Sequence, residues 1–269
     1  MPTLGRLTYL EASPPVARRP GRDQPTLVLI HAFPLNARFW EPQLQLANRG
    51  WRILAPQLRG FDGTPGDPPV NTVDDYAGDI IDLLDGLHIE DAVIGGLSMG
   101  GYVTLALFRL APRYFRGMVL ADTRSQADSA EGLEGRRRML ILVREGGARA
   151  VADDMLSKLV GETTKRVNPQ VVEHTRALIL ASSPDAIAGG IRAMMSRPDS
   201  TPLLSSIHCP TLIVVGEEDT ITPPAQSEAM HRAIGGSELT VIPRAGHLAN
   251  LERPEAFNDA LGPFLEHRV

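Results

Sequence analysis

Residues 92–101 read Ala-Val-Ile-Gly-Gly-Leu-Ser-Met-Gly-Gly, an apolar run that ends in a serine set among glycines. An unbroken apolar run of this length is typical of a strand buried on both faces of a parallel sheet. A helical pattern follows, from Gly100 to Leu110. The pattern Gly-x-Ser-x-Gly around Ser98 therefore lies on a turn from strand to helix, where residues without side chains let the two elements approach closely. The alternative interpretation is a tight turn with an incidental serine.

The alternation of strand and helix extends along most of the chain. Further buried strands are predicted at 26–30, 52–55, 117–121 and 211–215, with one nearer an edge at 238–242 and an antiparallel one at 5–11. Helices are predicted after Thr72, which suits an N-cap, and at 100–110, at 225–234 and from Pro254 onward. The fold class is therefore α/β, a doubly wound and mostly parallel sheet with helices on both faces.

This alternation stops between Ser125 and Ser206, where apolar residues recur at helical spacing only. Roughly four helices are therefore predicted between two strands. We expect an α/β core of residues 1–125 and 206–269 with an inserted helical cap subdomain of residues 126–205. The cap should cover the carboxyl edge of the sheet, where open α/β sheets bind their ligands. The stretch 14–25, rich in Pro and Arg, is predicted to be a surface loop.

Composition excludes several classes of protein. The chain has 269 residues, 43% hydrophobic and 22% charged, which is ordinary for one large globular domain. The formal net charge is −5 and no long basic run occurs, so nucleic acid is not expected as a partner. The chain has one cysteine, no signal-like start and no membrane-spanning run. We therefore expect a cytoplasmic protein without a membrane partner.

A serine hydroxyl becomes a good nucleophile only when a base takes its proton. Among the seven histidines, His247 is the best candidate for this base, because its loop directly follows the last predicted strand. That loop should carry the imidazole over the same sheet edge as Ser98. His31 follows a buried strand, and the other five lie on predicted helices or at their ends.

The acid that orients this histidine should come from a loop between the serine and the histidine in sequence. Asp219 lies in the loop after the strand at 211–215 and is the favoured residue. Asp122, directly after the strand at 117–121, is the competing candidate, since a carboxylate there can reach the same histidine.

The tetrahedral oxyanion needs two backbone donors, for which we predict the amides of Met99 and Phe33. Pro34, next to Phe33, has no amide proton to offer.

These segments together resemble the α/β-hydrolase superfamily over essentially the whole chain. The order Ser98, Asp219, His247 is that of the family, and His-Ala-Phe-Pro at 31–34 resembles its His-Gly-x-Pro oxyanion loop. Residues 57–62 resemble its Asp-x-Arg-Gly-x-Gly loop, with departures at Gln57 and Asp62. The resemblance is nearest to small capped esterases, enol-lactone hydrolases and cofactor-free haloperoxidases or perhydrolases. It implies no metal and no organic cofactor.

A serine nucleophile indicates acyl transfer, so the expected substrate is a small to medium carboxylic ester or lactone. The substrate pocket is predicted to include several apolar residues of the cap and of residues 243–248, the loop that carries His247 and that we call the histidine loop. These are Met139, Leu140, Met155, Met194 and Leu248, with an ordinary core position as the alternative for each. Perhydrolysis or carbon–carbon bond hydrolysis could use the same three side chains. A ligand receptor of hydrolase fold with slow turnover is the alternative of another class.

Overall fold

The computed structural model describes residues 1–15, 24–61 and 69–269. Within them, eight strands form one sheet in the order β1-β2-β4-β3-β5-β6-β7-β8. The strands are β1 (Thr3–Leu4), β2 (Leu7–Ala12), β3 (Thr26–Ile30), β4 (Arg52–Pro56), β5 (Ala92–Leu97), β6 (Phe115–Ala121), β7 (Thr211–Gly216) and β8 (Glu238–Ile242). The predicted α/β sheet is confirmed. Most of the surface loop predicted at 14–25, namely residues 16–23, lies outside the described residues. Asp62, where the sequence departs from the family's Asp-x-Arg-Gly-x-Gly loop, also lies outside them.

The direction of the strands follows their sequence patterns. Strand β2 pairs antiparallel with β1 and β4, whereas the pairs from β4 through β3, β5, β6 and β7 to β8 are all parallel. Strands β3, β5 and β7, whose sequences are apolar except for Thr26 and Thr211, are buried at every position. Strand β8 lies at the edge and is only partly buried, as its mixed sequence predicts. All parallel strands therefore end at one edge of the sheet.

The predicted core helices are present with slightly different ends. They are α1 (Val73–Gly86), α2 (Met99–Leu110), α7 (Pro224–Ala233) and α9 (Pro254–His267). The short helix α8 (Ala249–Glu252) was not predicted. Thr72 caps α1 as expected, since its side chain accepts from the Asp75 amide while the Asp75 carboxylate accepts from the Thr72 amide. The 3-10 helical segment Ala37–Arg49 was not predicted. Pro42 interrupts its helical signal, although its buried face holds Phe39 and Trp40.

Four helices lie between β6 and β7, where strands were not expected. They are α3 (Ala130–Leu159), α4 (Glu162–Val167), α5 (Pro169–Leu180) and α6 (Pro184–Ser196), and we call them the helical insert. Helix α3 bends at Gly147, whose φ of 63° and ψ of −159° are not helical. At the base of the insert, Asp128 accepts hydrogen bonds from Arg124, Arg136 and Arg197. The guanidinium of Arg197 also stacks 4.1 Å above the ring of Tyr102 in α2.

Candidate active site

Ser98 lies on a strained turn between β5 and α2. Its φ of 56° and ψ of −114° are unusual for a residue with a side chain, and such a conformation costs on the order of 1–3 kcal/mol. Hydrogen bonds hold both its backbone groups. The Ser98 amide donates to the Ala121 carbonyl at 3.0 Å, and the Ser98 carbonyl accepts from Thr123 Oγ1 at 2.8 Å. The surrounding structure thus presents this serine at the carboxyl edge of the sheet, with 8% of its surface exposed.

The glycines around Ser98 are required by close contacts between backbones. A Cβ at Gly96 would lie 2.3 Å from the carbonyl carbon of Gly100, and a Cβ at Gly100 would lie 2.1 Å from the carbonyl oxygen of Ile30. The loop that follows β3 therefore packs directly against the turn of Ser98. This contact is the physical reason for the Gly-x-Ser-x-Gly pattern, because any larger residue would force strand and helix apart.

His247 and Asp219 form a buried pair at the same edge of the sheet. His247 Nδ1 lies 2.8 Å from Asp219 Oδ2, and the two side chains are 1% and 0% exposed. A carboxylate can only accept, so Nδ1 carries the proton of neutral His247 and Nε2 is left as an acceptor. Burial raises the pKa of Asp219, but the charge and hydrogen bond of His247 and the hydrogen bonds of Thr222 outweigh it and lower that pKa below its usual value. The structure therefore holds an ionised carboxylate against the imidazole.

The loops that carry this pair are joined by backbone hydrogen bonds. The Glu217 amide donates to the Ile242 carbonyl at 3.0 Å, and the Glu218 amide donates to the Ala245 carbonyl at 2.7 Å. These bonds continue the parallel pairing of β7 with β8 beyond the ends of both strands. Asp219 and His247 are thus brought together although 28 positions separate them in sequence. The hydrogen bond between Ser98 Oγ and His247 Nε2 stays a prediction.

Asp122, the competing acid, serves a different contact. Its Oδ1 accepts from the Gly216 amide at 2.7 Å, and its side chain is fully buried. Burial, followed by the negative charge of Asp219, raises the pKa of the Asp122 carboxyl well above its usual value. The structure brings Asp219, and not Asp122, to His247 Nδ1. Asp122 instead joins the ends of β6 and β7.

The segment that follows β3 is held by His31. Its Nδ1 lies 3.0 Å from the Ala32 carbonyl oxygen, and its Nε2 accepts from the Leu58 amide at 3.2 Å. Burial lowers the pKa of His31 to about 4, against a smaller opposing effect of the bond to Ala32, so this imidazole is neutral near pH 7. Phe33 lies in this segment, directly before a cis peptide bond to Pro34. Met99 is the first residue of α2, and its amide therefore has no acceptor within the helix.

Known proteins resemble this chain along most of its length. The family model described as the alpha/beta hydrolase family matches residues 27–260 of the chain. The chain belongs to the alpha/beta hydrolase family. A solved structure of a thermophilic esterase from Thermogutta terrifontis, with malate bound, is 38% identical to this hydrolase, with a TM-score of 0.90 over 97% of this chain and 93% of that one.

Two further relatives carry the name of enol-lactonase. The enol-lactonase from Burkholderia xenovorans has a solved structure that is 25% identical to this alpha/beta hydrolase, with a TM-score of 0.86 over 97% of this chain and 96% of that one. The 3-oxoadipate enol-lactonase 2 of Acinetobacter baylyi is 27% identical over 239 residues, which are 89% of this chain and 88% of that protein. The resemblance inferred from the sequence motifs is therefore confirmed.

The predicted pocket residues of this alpha/beta hydrolase occupy different environments. Met194 is buried in the same apolar cluster as Phe33 and Met99, and Met139 and Leu140 are partly buried against that cluster. Met155 packs against two apolar clusters, and Leu248 is fully buried in the second one. The helical insert approaches the segment that follows β3, since a Cβ at Gly190 would lie 3.0 Å from Phe33 Cδ2. A substrate-binding role for the five residues stays a prediction.

A cavity of about 450 Å³ lies beside these elements, between α1 and α6. Its lining includes Arg59, Tyr76 and Arg192, and it does not include the three candidate catalytic residues.

Among the described residues, no helix offers the length and apolarity that crossing a bilayer demands. The same residues hold no group of three or more His, Cys, Asp or Glu side chains placed to bind a metal ion.

Two residues near the site were missed in the sequence. Thr222 donates from Oγ1 to Asp219 Oδ2 at 2.6 Å, while its amide donates to Oδ1 at 3.0 Å. Its signal was local, because an aspartate commonly accepts from backbone amides two or three positions further on, as Asp219 Oδ1 does from Ile221 and Thr222. Glu252 is 3% exposed and bonds a residue of the helical insert, 91 positions away. No local sequence pattern predicts the contact between Glu252 and the helical insert.

Proposed function

We propose that this protein is a serine hydrolase that cleaves small to medium carboxylic esters or lactones through an acyl-enzyme. Ser98 is the proposed nucleophile, His247 the base and Asp219 the acid. The observation that carries the proposal is the buried 2.8 Å contact of His247 Nδ1 with Asp219 Oδ2, at the sheet edge where Ser98 adopts a strained turn. A buried carboxylate that fixes the imidazole tautomer is what a base for serine requires.

The proposed reaction has two halves. Ser98 Oγ attacks the carbonyl carbon while His247 Nε2 takes the hydroxyl proton, and the carbonyl electrons move onto oxygen. The amides of Met99 and Phe33 are proposed to stabilise this oxyanion. His247 then protonates the departing alcohol, and the acyl group remains on Ser98. A water molecule, activated by His247 in the same way, releases the carboxylic acid and restores the serine. In a lactone, the departing alcohol stays attached to the acid product.

The substrate class is supported by the nature of the nucleophile and by the relatives. Serine at this position favours acyl transfer, and the relatives include a protein named as an esterase and others named as enol-lactonases. We propose that residues 126–205 form a cap over the site, because α6 packs against Phe33 and the insert contacts the histidine loop. The cytoplasmic location expected from the sequence stays a prediction.

The test uses the full chain and Ser98→Ala. Turnover is measured with p-nitrophenyl acetate, p-nitrophenyl butyrate and a lactone, and a fluorophosphonate label is mapped by mass spectrometry. We expect Ser98-dependent multiple turnover and a single label on Ser98. Peracid formation from acetate and peroxide serves as the test for perhydrolysis. A burst of one product per chain without further turnover would favour the receptor alternative, and label on another residue would overturn the assignment of Ser98.

A further inference from the structure

Glu252 is a buried acidic residue that bonds the backbone on two sides. It ends α8, five residues after His247, and only 3% of its surface is exposed. Its Oε1 accepts from the Leu248 amide at 3.2 Å, and its Oε2 accepts from the Gly161 amide at 2.9 Å. The first bond joins the end of the histidine loop, at Leu248, to the last residue of α8, in the manner of a local cap. The second bond reaches the helical insert, at the residue that precedes α4.

The insert and the histidine loop also touch directly at this point. A Cβ at Gly161 would lie 2.7 Å from the Gly246 amide nitrogen, and a Cβ at Gly246 would lie 2.3 Å from the Gly161 nitrogen. Distances this short are essentially never seen for real Cβ atoms, so the two backbones could not remain in contact with any larger residue. Gly161 itself has an ordinary φ of −64°, which an alanine could adopt. Close packing, and not backbone conformation, therefore requires glycine at 161.

Glu218 provides an instructive comparison, because it joins the insert to the neighbouring loop. It directly precedes Asp219, and its carboxylate accepts from the amide and the hydroxyl of Thr163. A hydroxyl can act as donor or acceptor, so glutamine at 218 could keep both bonds by reversing one of them. Both partners of Glu252 are backbone amides, which can only donate. Glutamine at 252 would therefore place an NH₂ group against an N–H group.

We propose that Glu252 is a positioning residue for His247, which holds the histidine loop and the helical insert in one arrangement through its two backbone bonds. This inference rests on the proposed function, since it concerns the same imidazole. The carboxylate does not touch the reacting atoms. Its effect is to fix the Leu248 amide, and with it the backbone on which the His247 ring is carried. Displacing a catalytic group by about 1 Å can lower a rate on the order of a hundredfold, so such support has a measurable consequence.

The test compares two pairs of variants of the full chain. Glu252→Gln is matched by Glu218→Gln, which makes the same chemical change at the other carboxylate beside Gly161. Gly161→Ala reaches the same contact from the insert side and is matched by Gly135→Ala, where the nearest atom would be 3.8 Å away. For each variant, kcat and KM are measured with p-nitrophenyl acetate. Thermal unfolding and amide hydrogen exchange of residues 160–164 and 246–252 are measured alongside.

We expect kcat of Glu252→Gln and of Gly161→Ala to fall on the order of tenfold to a hundredfold, with KM changed by less than about threefold. Amide hydrogen exchange should be faster in both segments, 160–164 and 246–252, in each of these two variants. The two control variants should keep kcat within about twofold of wild type. A folded Gly161→Ala with wild-type kcat and exchange would overturn the proposal, even if Glu252→Gln did not fold. Absence of Ser98-dependent turnover in the wild type would instead refute the proposed function, and the exchange measurement would still test the contact.

Discussion

Replacing Asp128 by asparagine should destabilise the protein strongly, because this buried carboxylate has three arginine partners. Its oxygens lie 2.6 Å from Arg124, 3.2 Å from Arg136 and 2.9 Å from Arg197. Burial raises the pKa of Asp128, but the hydrogen bond of Arg197 and the charges of Arg136 and Arg197 outweigh it and lower that pKa from 3.8 to about 2. The ionised form is therefore favoured by the folded state, and this preference contributes to stability.

The lowered pKa sets the size and the sign of the effect. A carboxyl whose pKa falls from 3.8 to about 2 on folding contributes roughly 2.5 kcal/mol to the free energy of unfolding at neutral pH. This contribution is complete above about pH 5 and is lost as pH falls, about 1 kcal/mol of it by pH 3 and about 2 kcal/mol by pH 2. In Asp128→Asn, Arg197 also loses a counterion while its side chain stays 3% exposed. We expect a total loss of about 3 kcal/mol at pH 7.

The assay is urea unfolding followed by the fluorescence of the two buried tryptophans, Trp40 and Trp51, at pH 7 and at pH 3. The matched control is Asp153→Asn, which removes a carboxylate that is 59% exposed and pairs with Arg176. The control should change the free energy of unfolding by less than about 1 kcal/mol. The difference in the free energy of unfolding between wild type and Asp128→Asn should be about 1 kcal/mol smaller at pH 3 than at pH 7. A variant within about 1 kcal/mol of wild type at pH 7, or a gap that does not narrow, would refute the reasoning.

The remaining predictions concern the site itself. Asp219→Asn should lower kcat for an ester on the order of a thousandfold or more, because the imidazole loses its tautomer control. Asp122→Asn should keep a kcat near that of wild type. It should raise the melting temperature at pH 7 but not at pH 4. The reason is that burial raises the pKa of the Asp122 carboxyl, so its contribution to stability is lost as pH rises above the pKa that this carboxyl has in the unfolded chain. The opposite ranking of the two kcat values would move the acid to Asp122. Thr222→Val should lower kcat by about threefold to thirtyfold, since Asp219 Oδ2 keeps only His247 as a side-chain donor, and steady-state kinetics at saturating ester will measure this. Gly100→Ala should yield little folded protein, because its Cβ would meet the Ile30 carbonyl at 2.1 Å, and circular dichroism with expression yield will report it.

Most of the sheet could be predicted because its parallel strands and most of the helices between them have a local signal. The parallel strands are short apolar runs, and the turn at Ser98 follows from glycines that adjoin it in sequence. The 3-10 helical segment at 37–49 escaped prediction for a local reason as well, since Pro42 interrupts the helical pattern of its sequence. Asp219 was favoured from its position after β7, but Asp122 after β6 satisfied the same rule.

Local sequence is sufficient to predict most of the strands and helices, and with them the residue types at the ends of the parallel strands. The contact of His247 with Asp219, which distinguishes this residue from Asp122, arises only on folding, because it depends on the pairing of the loops after β7 and β8. The contact of Glu252 with Gly161 is of the same kind, with 91 positions between its partners. Local propensity acts within a few residues, whereas a hydrogen bond between distant segments exists only after the chain has packed.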